Sequence, residues 1–182
     1  AYDIGPGNCL IDEWIRKNSK KKYDKDGLLA SSGTIDKLVL NQALENFVEN
    51  SNYEKSLDVK DFDIFFAKGL SLENGATTIT NFTAALIANG MDYSHKNDQS
   101  LEKKWLVCGG GRKNRYLLNC IKKRFKKINI ESIDNYEIDG DFVESQAFAY
   151  LAVRSFLKLP ISFPNTTGCK KPVSGGVLVE NF

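Results

Sequence analysis

Asp3-Ile4-Gly5-Pro6-Gly7-Asn8 and, far downstream, Trp105-Leu106-Val107-Cys108-Gly109-Gly110-Gly111 decide how this chain reads. In the first stretch, two glycines around a proline make a rigid, sharply turned loop with exposed backbone N–H groups. Asn8 then stands at an N-cap position before an amphipathic run with Leu10, Ile11, Trp14 and Ile15 on one helical face. In the second, the apolar residues 105–108 read as a buried strand, and a helix-like stretch follows the glycines to about Lys127. Two strand–glycine turn–helix units point to a phosphate or nucleotide site between them. Glycine lets backbone approach a ligand closely, and a helix N-terminus favours negative charge. This chemistry begins within a few residues of Ala1, with no initiator Met, so the chain reads as a piece of a larger enzyme.

Working outward, 1–3 reads as a strand end and 8–18 as the first helix, followed by a polar stretch over 20–27. Thr34 is the expected N-cap of a second helix whose buried stripe is Leu40, Ala43, Leu44, Phe47 and Val48. In the mixed segment 50–74, Phe62, Phe65 and Phe66 are expected to reach the core. A third helix is expected over 77–89, with Gly90 at its C′ position. Ile128, Ile130 and Ile133 suggest a strand returning beside 105–108, a right-handed strand–helix–strand crossover in a parallel or mixed sheet. Asp141 is expected to open a long helix, with Val143, Ala147, Phe148, Leu151 and Ala152 facing inward, which ends at Pro160. A turn-rich tail closes with a short strand at 177–179. The expected class is a single α/β domain.

Composition narrows the function. The chain has 182 residues, 42% of them hydrophobic and 11% aromatic, enough for a real core, and its net charge of +2 argues against an electrostatic nucleic-acid binder. Basic residues cluster at Lys20, Lys21 and Lys22 and at Lys122, Lys123, Arg124, Lys126 and Lys127; the second cluster reads as the solvated face of an amphipathic helix. Cys9, Cys108, Cys120 and Cys169 form no C-x-x-C pair and His95 is the one histidine, so zinc sites of the usual kind and Cys–His or Ser–His–Asp chemistry are disfavoured. Cys9 and Cys108 lie in apolar runs and read as small buried hydrophobes. With no disulfide framework, no signal peptide and no run long enough to span a bilayer, the cytoplasm is the expected compartment. Asn81-Phe82-Thr83 and Asn165-Thr166-Thr167 match the glycosylation pattern only by chance. Asp24-Lys25-Asp26-Gly27 starts like a calcium loop, but Ile35 occupies the position of its bidentate glutamate.

Three groups remain as chemical candidates, each with a plainer alternative. Asp3 is either a strand-end carboxylate bonded to its own loop, or a general base or magnesium-linked carboxylate beside a transferring phosphate. Gly109, Gly110 and Gly111 are either a tight structural turn or a seat for nucleotide; their spacing is neither the Rossmann nor the Walker fingerprint. Glu144 has capping-box spacing from Asp141.

Taken in order, Asp3-Ile4-Gly5-Pro6-Gly7-Asn8, Tyr23-Asp24-Lys25-Asp26-Gly27, Val107-Cys108-Gly109-Gly110-Gly111-Arg112-Lys113-Asn114, Glu144-Ser145-Gln146-Ala147-Phe148-Ala149-Tyr150-Leu151-Ala152 and Asn165-Thr166-Thr167-Gly168 with Gly175-Gly176 resemble the C-terminal half of the anhydro-N-acetylmuramic acid kinases. The resemblance spans essentially all of 1–182. It implies a ribonuclease-H-like domain of the sugar kinase/actin-like ATPase superfamily, a mixed sheet flanked by helices, forming the nucleotide-side half of a two-domain enzyme. It further implies that ATP and water convert 1,6-anhydro-N-acetylmuramic acid to N-acetylmuramic acid 6-phosphate in peptidoglycan recycling. By the same resemblance Asp3 activates the water, and Glu144 lies near that water and the sugar. Gly5, Gly7, Asn8, Gly109, Gly110, Gly111 and Asn114 line the nucleotide site. ATP with Mg2+, an N-terminal domain and a possible homodimer are the implied partners, without nucleic acid or membrane. The chain alone is expected to be inactive.

The sequence also departs from the family pattern. Ile4 stands where the family usually has Thr. The family's Pro-Lys-Ser-Thr-Gly stretch appears only as Glu54-Lys55-Ser56-Leu57-Asp58, to which no role is carried. The N-terminal half, with its own glycine-rich phosphate motif, has no counterpart here. Two other readings are another amino-sugar kinase of the superfamily, which would need no activated water, and a non-catalytic actin-like ATP-binding module.

Overall fold

The computed structural model describes residues 3–50, 56–96, 104–124 and 129–179, with side chains undescribed at 48–50 and 94–96. The helices are α1 (Cys9–Asn18), α2 (Leu28–Ser32), α3 (Lys37–Asn50), α4 (Leu72–Lys96), α5 (Arg115–Arg124), α6 (Val143–Phe156) and α7 (Pro164–Thr167), and the strands are β1 (Lys104–Val107) and β2 (Asn129–Ser132).

α4 organises the fold: α1, α2, α3 and α5 all pack against it. A helix enclosed on every side must be small or apolar on every side, and residues 75–86 are buried without a break. Two of its buried threonines place their hydroxyls against carbonyls of the preceding turn, Thr80 on Ala76 at 2.7 Å and Thr77 on Glu73 at 2.8 Å. Leu10, Ile11, Trp14 and Ile15 are all buried against this layer, as the helical spacing of α1 predicts. Asn81 is buried within α4, in keeping with a chance glycosylation match.

Gly90 does not end this helix, contrary to expectation. It lies inside α4, where an added Cβ would come within 2.7 Å of the Ile4 Cβ. Its lack of a side chain therefore seats the segment leading into the first glycine turn. α3 starts later than expected and is capped by Asp36, whose carboxylate accepts the Val39 N–H at 3.0 Å, and not by Thr34. Its buried stripe holds at Leu40, Ala43 and Phe47, while Val48 has no described side chain. Phe62 and Phe66 pack on the core, but Phe65 is exposed.

β1 and β2 pair in parallel, Trp105 opposite Ile130, with α5 connecting them. Ile133 begins a 3-10 turn after β2, and Ile128 lies outside the described residues. The molecule is thus mostly helical, with a two-stranded sheet among the described residues where a larger mixed sheet was expected. Residues 1 and 2 are outside the description, and 177–179 pair with no strand among the described residues. β1 is only half-covered, and Cys108 beyond it is exposed, as is Cys9, so neither is the buried hydrophobe its apolar neighbours suggest.

α6 departs furthest. Its expected inward face is not buried: Ala147, Phe148 and Ala152 are exposed and Val143 and Leu151 are half-buried. The chain turns back after Phe156, before Pro160, with Lys158 at φ 54°. The tail is held to the helix by Ser155 on the Gly175 carbonyl and by Arg154 on the Pro160 carbonyl.

Candidate active site

The first glycine turn is closed by the Cys9 N–H on the Pro6 carbonyl at 3.0 Å, which starts α1. Asn8 occupies the N-cap position but makes no side-chain cap there. Its Oδ1 instead accepts from Asn114 Nδ2 at 3.1 Å. Ahead of the turn, Asp3 is exposed, and residues 56–57 hold it from three sides. Its N–H donates to Ser56 Oγ at 2.9 Å, Ser56 Oγ donates to its Oδ2 at 3.1 Å, and its carbonyl accepts from the Leu57 N–H at 2.9 Å.

Gly109 sits at φ 69°, ψ −174°, a conformation essentially closed to other residues. The chain then makes a 3-10 turn, Gly110–Lys113, and enters α5 at Arg115. Asn114 is the joint between the two turns. It is buried, its Oδ1 caps α5 by accepting the Leu117 N–H at 3.0 Å, and its Nδ2 reaches Asn8. Nothing lies within 4 Å of a Cβ added at Gly110 or Gly111, so the surface of this turn is open.

Arg112 locks the second turn to the segment entering α6. Its guanidinium donates to Asp134 Oδ2 at 2.7 Å, to Asp141 Oδ1 at 2.6 Å and to the Gly109 carbonyl at 3.1 Å, while Lys113 takes the other Asp141 oxygen at 2.6 Å. The Gly109 N–H donates to the Gly140 carbonyl at 2.9 Å and the Gly140 N–H to Asp134 Oδ1 at 2.9 Å, closing the loop. Arg112 and then Lys113 hold the Asp141 carboxyl down to about 2. Arg112, with Ser132 and the Gly140 N–H, holds the Asp134 carboxyl well below the usual range.

This cluster overturns the capping-box reading of Asp141 and Glu144. Phe142, whose side chain has no acceptor to offer, is the N-cap of α6, and the Asp141 carboxylate is taken up by two cations. Charge-assisted bonds of that kind outweigh a cap contributing about 1 kcal/mol. Glu144 stands exposed in the first turn of α6. The second stretch quoted above has a structural part: Asp24 is buried and accepts the Leu29 and Ala30 N–H groups at 2.8 and 2.9 Å, which starts α2.

The structure joins the turn carrying Gly5, Gly7 and Asn8 to the turn carrying Gly109, Gly110, Gly111 and Asn114 at the one Asn8–Asn114 bond, and it places Asp3 at the head of the first turn. It does not bond Glu144 to Asp3. Ser56, Arg112 and Asp141 were missed as parts of the site; the isolated Lys55-Ser56 remnant of the family stretch was the one available sign of Ser56. Among the described residues, no group of three or more His, Cys, Asp or Glu side chains is arranged to hold a metal ion. The His95 side chain lies outside the described residues.

Two glycine turns are thus joined through Asn8 and Asn114, one headed by an exposed carboxylate and the other leading into a helix capped by Asn114. Residues 1–181 match the model of the anhydro-N-acetylmuramic acid kinase family, and the chain belongs to that family. It is 50% identical to the anhydro-N-acetylmuramic acid kinase of Pelagibacter ubique over 184 residues, covering 100% of this chain and 49% of that protein. The similarly named proteins of Rhodospirillum rubrum and Brucella canis are 40% and 39% identical, covering 97% and 99% of this chain and 46% and 48% of theirs. The chain thus spans about half the length of the relatives it matches. Among the described residues no helix is long and apolar enough to cross a membrane.

The open face at Gly110 separates a binding role from a folding role. Gly110→Val puts its side chain into space that the fold leaves empty, so the variant should keep the wild-type melting temperature. In the complete kinase proposed below, its ATP affinity should fall about tenfold or more, about 1.4 kcal/mol. Calorimetric titration with ATP reads this directly; unchanged affinity would make the turn structural only.

Proposed function

We propose that this chain is the C-terminal, nucleotide-side half of a two-domain sugar kinase with the ribonuclease-H-like fold of the actin-like ATPase superfamily. The reaction is the ATP-dependent conversion of 1,6-anhydro-N-acetylmuramic acid and water to N-acetylmuramic acid 6-phosphate, a cytoplasmic step of cell-wall recycling. The observation that carries this reading is the Asn8–Asn114 hydrogen bond, which sets two glycine turns side by side with Asp3 at the head of one.

In the proposed chemistry, Asp3 accepts one proton of a water whose oxygen attacks the anomeric carbon. The bond from that carbon to the bridging O6 breaks, and O6 bonds to the γ-phosphorus as ADP leaves. The other water proton stays on the new anomeric hydroxyl, and Asp3 returns its proton to solvent. The glycine turns carrying Gly5, Gly7 and Asn8 and Gly109, Gly110, Gly111 and Asn114 seat the nucleotide, and Glu144 serves the sugar side. Fixing water, sugar and γ-phosphate relative to one another is the main task of the protein in such a reaction. Mg2+ neutralises phosphate charge when bound; it is proposed to come with the nucleotide, since magnesium usually keeps its waters and binds through phosphates with one or two carboxylates.

The acceptor decides between this and other amino-sugar kinases. The complete protein should release ADP with the 1,6-anhydro sugar and at least about 10²-fold more slowly with the free sugar, which leaves the water-activating carboxylate without a task. Equal rates, or preference for the free sugar, would overturn the reading.

A further inference from the structure

We propose that Ser56 is a positioning residue that sets the rotamer of Asp3 and reserves one carboxylate oxygen for the water. This inference rests on Asp3 being the base. A hydroxyl carries one donor and two acceptor sites, and Ser56 spends both kinds on the same residue: it accepts from the Asp3 N–H at 2.9 Å and donates to Asp3 Oδ2 at 3.1 Å. With the Leu57 N–H on the Asp3 carbonyl, the backbone and one side-chain oxygen of Asp3 are fixed. No hydrogen bond among the described residues engages Oδ1, which is left to accept a proton.

The arrangement is not local turn chemistry, because Ser56 lies 53 residues away in sequence. Both residues are exposed, so the contact contributes little to stability. An exposed aspartate without such a clamp would sample several rotamers. A base must be held within about 0.5 Å of its productive place, and loss of that placement lowers rate without loosening substrate.

The test uses four variants of the complete kinase. Ser56→Ala should lower kcat about 10- to 10²-fold while leaving KM for ATP and for the anhydro sugar, and the melting temperature, unchanged. Ser56→Thr keeps the hydroxyl and should stay within about threefold of wild type. In an Asp3→Asn background, Ser56→Ala should cause no further loss, since its whole effect runs through the aspartate. Wild-type kcat in Ser56→Ala beside an inactive Asp3→Asn would overturn the positioning role and leave the base in place. The same fractional loss in both backgrounds would do so too. Near-normal turnover in Asp3→Asn would overturn the base reading itself.

Discussion

Incubated with ATP and the 1,6-anhydro sugar, the isolated 182-residue chain is expected to release no ADP above background. Adding a separately expressed N-terminal half of the family should restore turnover. In the proposed enzyme the described surface would supply one side of the nucleotide seat: the turn at Gly110 and Gly111 opens into empty space, and Asp3 is exposed. A phosphate on such a wet surface interacts far more weakly with its partners than in a closed site. The apolar surface points the same way. Phe148, Tyr150, Val153, Phe156 and Leu157, with Val177 and Leu178 beyond them, are all more than half exposed. Two parallel strands alone make a marginal sheet, since parallel strands are ordinarily covered on both faces. The isolated chain should therefore self-associate with rising concentration in sedimentation experiments, and the added half should suppress this as it restores activity. Full turnover by the monomeric chain alone would refute the two-half architecture.

Asp3→Asn in the complete kinase should reduce turnover by about 10²–10⁴-fold, the usual contribution of a positioned general base, with ATP affinity nearly unchanged. The substitution keeps the size of the side chain and an oxygen able to accept the Ser56 hydroxyl, so the loop geometry survives. What it removes is the capacity to take a proton from water. Turnover and calorimetric ATP binding measured on the same preparation separate these effects, and near-wild-type turnover would remove Asp3 from the mechanism.

The parts of this site legible in the sequence are those governed by local backbone chemistry. The glycine turns, the apolar face of α1 and the strand–helix–strand order around α5 follow from spacing alone. What was not legible depends on partners distant in the chain. Gly90 looks like a helix stop until Ile4 is seen against it. Asp141 and Glu144 have the spacing of a capping box, and nothing local reveals that Arg112 and Lys113 take the aspartate. Asn8 looks like an N-cap because its type and place suit one, yet its side chain serves another turn. The exposed face of α6 has the periodicity of a buried helix, which reports what a helix can pack against and not whether a partner is there.

The Asn8–Asn114 bond joins residues 106 apart, and this sets an order of events during folding. Closing so long a loop costs more chain entropy than any contact within α1 or α4. The joint between the two glycine turns is therefore expected to form late in folding and, in local opening of the native state, to come apart early. A bound nucleotide spanning both turns would close that opening and slow amide exchange there well before it changed exchange in α4.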